Sequence, residues 1–129
     1  MNWPLVIVVA AGAAGAACGG HPGKNQVIAR HGRDTDFKAN VTKATFDGKL
    51  VVLELGPRVS VTIASCYAHA QQKIGDHDHV VIQLDHKDAA DGELDIADCT
   101  TKHVVASLWA EFDDGTKLEA SIDSDLKRP

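Results

Sequence analysis

Basic residues are missing from the start of this chain: no Lys or Arg precedes Lys24. Aromatic residues make up 5% of the sequence and are not interleaved with bases, so a base-stacking platform for nucleic acid is lacking. The uncharged run from Trp3 to Cys18 is shorter than the roughly 20 residues of a membrane-spanning helix. There is no C-x-x-C spacing, which leaves a cysteine-based zinc site without a frame. There is no G-x-S-x-G, no Walker A motif and no Rossmann glycine pattern, so the hydrolase and nucleotide-binding signatures are absent. A net charge of −5 argues against nucleic acid as a partner.

What the start does have is an apolar centre, Leu5-Val6-Ile7-Val8-Val9-Ala10, followed by Ala and Gly as far as Cys18-Gly19-Gly20. A short apolar centre ending in small residues reads as a removable export signal, not a span. Gly12, Gly15 and Gly19 weaken any permanent helix here. Gly15-Ala16-Ala17-Cys18 resembles the lipobox of bacterial lipoprotein precursors, with Gly15 where that class usually carries Leu. The resemblance implies that residues 1–17, a signal helix, are removed and that Cys18 is lipidated and anchors the protein to a bacterial membrane. The alternative is an ordinary secretory signal cut after Ala14-Gly15-Ala16, giving a soluble secreted or periplasmic protein.

Three cysteines are an odd number, and an oxidising compartment would leave one unpaired. If Cys18 takes lipid, Cys66 and Cys99 remain for a disulfide. Such a bridge would close a loop of about 34 residues and stabilise the fold by roughly 3.5–4 kcal/mol. Two buried free thiols are the other reading.

Residues 18–36 read as the lipidated cysteine and a flexible tether, rich in Gly and carrying Lys24, Arg30 and Arg33. These three bases could rest on anionic lipid. Gln26–Ala29 is a candidate for an added short edge strand. Residues 37–129 read as an all-β domain of about seven antiparallel strands, a small sandwich or barrel. Phe37, Ala39 and Val41 alternate; so do Val59, Val61 and Ile63, and Val80, Ile82 and Leu84. Asp47-Gly48 and Asp113-Asp114-Gly115 are hairpin turns. Ala68–Ile74 is expected to form one or two helical turns ended by Gly75. The closing hairpin, Trp109 to Leu118, is similar to that of small β-rich bacterial envelope lipoproteins. Trp109 has the parity opposite to Leu108 and Phe112, which makes it a candidate partner contact.

The densest polar constellation is Asp76-His77-Asp78-His79, with His86 beyond it. His77, His79 and His86 are candidate ligands for copper or zinc. In a strand that begins at His79, His86 has the wrong parity and joins only if the strand bends or ends. Asp88 to Glu93 lacks the order of an EF-hand loop, with Lys87 and Ala89 where oxygen ligands are needed. No pair of carboxylates and no serine is singled out for catalysis. The expectation is an exported, lipid-anchored envelope β-domain with a binding or structural role toward an envelope protein or polymer. The alternative is a metal-binding protein built on the histidine loop.

Overall fold

The structure, a computed structural model, describes residues 21–64, 66, 70–74 and 80–129. The signal, Cys18, His77 and His79 lie outside the described residues.

Ten strands form one antiparallel sheet, and among the described residues there is no helix. They are β1 (Gln26–His31), β2 (Asp34–Phe46), β3 (Val51–Leu55), β4 (Val59–Ile63) and β5 (Ala70–Lys73), then β6 (Val80–Leu84), β7 (Lys87–Asp88), β8 (Asp91–Cys99), β9 (His103–Glu111) and β10 (Thr116–Asp125). The order across the sheet is β5-β8-β9-β10-β1-β2-β3-β4-β6-β7, curled into a half-barrel.

Alternation explains most of this. VVLEL, VSVTI and VVIQL each bury their first, third and fifth residues and leave the others half-exposed. Val104, Ala106, Leu108 and Ala110 of β9 face Leu118, Ala120 and Ile122 of β10 on the same inner side. One core results, because the concave face of the curl is apolar throughout. The curl has a corner. β2 pairs with β1 along its first half and with β3 along its second, and its register slips between Val41 and Lys43. A bulge there bends the strand and turns the sheet over.

Three strands exceed the expected set. β1 is central, between β10 and β2, not a tether or an edge. Within the described residues the ordered domain therefore begins before residue 37. Val27, Ile28 and Ala29 are buried in succession, so the strand lacks the alternation that marks one. Ala70–Lys73 is the edge strand β5, paired with β8, where helical turns were expected. Its Ala, Gln and Lys suit a helix by propensity, and tertiary pairing overrides them. β7 is a two-residue return after the Asp85-His86 turn.

Cys66 and Cys99 are joined by a disulfide with Cα atoms 5.6 Å apart. Cys66 follows β4 and Cys99 ends β8, strands near opposite margins of the open sheet. The bridge therefore staples the two flanks of the half-barrel together.

Candidate functional site

Two surfaces and one side-chain cluster hold the polar chemistry of the described residues. The first surface is the outer face of β8, β9 and β10. Register places Lys73, Glu93, Trp109, Glu119 and Ile28 in one row across five strands. Trp109 is 39% exposed in a strand whose inner residues are almost fully covered. One row away, Asp95, Ser107 and Ser121 stand side by side. The small serines leave a trough beside the indole. Two clefts occupy it, sharing Asp95, Ser107 and Ser121. The one of about 360 Å³ runs between Trp109 and the His21-Pro22 segment. The other, about 750 Å³, continues past Asp123 toward Gln71. Glu119 accepts a hydrogen bond from Arg30 Nη1 at 2.6 Å, which fixes one wall.

The cluster is centred on His103. The Thr100 hydroxyl accepts from the backbone N–H groups of Lys102 and His103, closing the β8–β9 turn and delivering His103 to the start of β9. Register then sets His103 opposite Asp125. Its Nδ1 lies 2.7 Å from Asp125 and its Nε2 2.6 Å from Asp123. Two carboxylates on the two ring nitrogens favour the doubly protonated ring, so its pKa is raised, first by Asp125 and then by Asp123. Asn25, held at φ 58°, accepts from the Asp123 backbone N–H and the Ser124 hydroxyl. With both nitrogens engaged, His103 has no free lone pair to act as a base.

The second surface is the acidic end of the sheet, where the β6–β7 and β9–β10 turns meet. Arg58 grips Asp85 through Nε at 2.9 Å and Nη2 at 2.7 Å, and its guanidinium lies 4.5 Å from the Phe37 ring centre. That grip lowers the Asp85 pKa. Asp36, Asp88, Asp113 and Asp114 line the same cleft of about 340 Å³.

Of the expected metal ligands, His86 alone is among the described residues. His86 sits with Asp85 in a two-residue turn, both at positive φ (66° and 52°), as a type I′ hairpin requires. It is exposed just beyond the end of β6 away from Val80. Among the described residues no group of three or more His, Cys, Asp or Glu side chains is placed to hold a metal ion. The two carboxylates at His103 lie on opposite sides of the ring and do not converge.

The exposure of Trp109 follows from its parity in the sequence. His103, Asp123 and Asp125 carry no motif. Their signal is the turn register: His103 and Asp125 are equally far from Asp114, the middle of the β9–β10 turn. Compared with known proteins, the chain matches no family model, no curated sequence and no solved structure.

Proposed function

We propose that this chain is an exported β-domain of a bacterial cell envelope, anchored by lipid on Cys18, which acts as a binding module and not as an enzyme. The lipobox-like Gly15-Ala16-Ala17-Cys18 and the disulfide support the exported setting. The observation that carries the binding role is Trp109. A half-exposed indole in the middle of a regular strand is costly to hydrate and is favoured where it anchors a partner. The flanking Glu93 and Glu119, and the serine-floored trough, supply polar contacts around that anchor. The partner is an envelope protein or polymer seated across β8, β9 and β10.

The test places a photo-crosslinking residue at position 109 in the native host, with position 52 on the other half of the sheet as the control. The expected result is an adduct of one discrete mass from position 109 alone. Adducts of the same mass from both positions, or none from 109, would reject the reading. Intact mass of the exported protein checks the anchor separately, because a lipid-bearing chain starting at Cys18 differs by hundreds of daltons from a plain one.

A further inference from the structure

We infer that the end of the sheet carrying Lys43, Lys102, Lys127 and Arg128, with Leu50 at its tip, rests on an anionic phospholipid bilayer. The inference builds on the lipid-anchor reading above and adds an orientation to it.

The charges are unevenly spread along the strand axis. At one end stand exposed Asp34, Asp36, Asp85, Asp88, Asp113 and Asp114, which outnumber Arg33, Arg58 and Lys87 there. At the other stand exposed Lys24, Lys43, Lys102, Lys127 and Arg128, bordering two clefts of about 630 and 680 Å³ that share Lys127 and Arg128. Of the acids at the basic end, Asp98 is exposed and the other three are engaged. Asp123 and Asp125 are held by His103. The Asp47 carboxylate accepts from the backbone N–H groups of Lys49 and Leu50, each at 2.8 Å. Lys24 lies 4.0 Å from Asp123, whereas Lys43, Lys102, Lys127 and Arg128 form no ion pair among the described residues and face outward.

A second observation is independent of charge. Among the described residues, the exposed large hydrophobics are Trp109 and Leu50. Leu50 is 38% exposed in the β2–β3 turn, in which the Asp47 N–H donates to the Leu50 carbonyl, and half-buried Phe46 precedes that turn. An apolar tip ringed by lysines is the composition that enters a headgroup layer. The Trp109 face is the rival contact, but Glu93 and Asp95 around it would be repelled by anionic lipid.

Reach permits the contact. Lys24 lies in the turn that starts β1, with the Gln26 N–H donating to the Gly23 carbonyl. Five residues separate Cys18 from Lys24, a reach of at most about 21 Å when extended, and of these His21 and Pro22 lie beside the Trp109 cleft. Of the three bases expected to meet lipid, only Lys24 is at this end. Arg30 is paired with Glu119, and Arg33 lies in the β1–β2 turn at the acidic end. Standing on its basic end, the domain would hold the Trp109 face sideways, open to a neighbour.

The experiment uses the exported protein on vesicles of phosphatidylcholine alone or with a third phosphatidylglycerol, read by amide hydrogen exchange. Residues 43–50 and 100–103 should exchange about tenfold more slowly on the anionic vesicles, with residues 85–91 unchanged; each base near such a surface favours contact by about fivefold. Lys43→Glu with Lys127→Glu and Arg128→Glu should abolish the protection. Leu50→Ser, which leaves the charge alone, should weaken it, and keeps the test valid if the triple variant unfolds. Equal exchange on both vesicles, or protection on the Trp109 face instead, would overturn the inference. So would equal protection by inorganic polyphosphate without vesicles, which would mark a binder of soluble polyanions. Should mass spectrometry find no lipid on Cys18, the anchor reading falls. The same exchange measured on vesicles mixed with the soluble protein still decides the basic end.

Discussion

His103 shows how one side chain can make stability depend on pH. The folded protein holds the imidazolium between Asp125 and Asp123, so it binds that proton more tightly than the unfolded chain. The resulting stabilisation is complete below the ordinary histidine value of about 6.5 and is lost as pH rises through the raised value. Asp47, Asp85 and Asp114 act in the opposite sense: their lowered values stabilise the fold at neutral pH, and that contribution is lost in acid. The thermal midpoint should therefore decline on the alkaline side of pH 6.5, and the decline should flatten in His103→Gln. Parallel curves for the two proteins between pH 6 and 9 would show that the clasp is not the cause. None of this was legible from local sequence, because His103 stands alone there and meets its carboxylates only through strand register. Trp109 was partly legible: parity takes it off the inner face, but only the fold separates exposure from a second core, since Ile28 in the same row is buried.

At the level of strands, legibility followed burial on one face. β3, β4, β6, β9 and β10 announce themselves by alternation, and the Asp-Gly signal of the β2–β3 turn and the Gly115 turn hold. β1 is hidden by consecutive buried residues and by the glycines and arginines around it. β5 is hidden by helix-forming residues on a short edge. One glycine has a reason that only packing reveals. A Cβ on Gly92 would lie 2.6 Å from the Trp109 carbonyl oxygen and 3.1 Å from the Ala110 Cα. Both are backbone and cannot swing aside. Gly92→Ala should lower stability by about 1–3 kcal/mol in urea unfolding, whereas Gly23→Ala, with its nearest contact at 3.7 Å, should stay within about 0.5 kcal/mol. Equal effects from the two would mean that the β8–β9 contact is looser than its geometry.

For the molecule as a whole, the disulfide matters because the half-barrel is open. Cys66 and Cys99 are 33 residues apart in sequence. Cross-linking a loop of this length stabilises a domain by about 4 kcal/mol in the chain-entropy model. The paired Cys66→Ser and Cys99→Ser variant should therefore unfold at much lower denaturant, with a loss of that order. A loss under about 1 kcal/mol would show that the apolar core alone holds the flanks together.

The pairing of β10 with β1 has a temporal consequence. A chain that leaves a ribosome presents β1 well before its neighbour β10. Until Thr116–Asp125 has emerged, Val27 and Ala29 lack a flanking strand and the middle of the sheet is missing. Folding must wait for the tail, as long-range pairing of this kind is slow to close. Any ribosomal stop before Thr116 yields an unfinished sheet instead of a smaller domain.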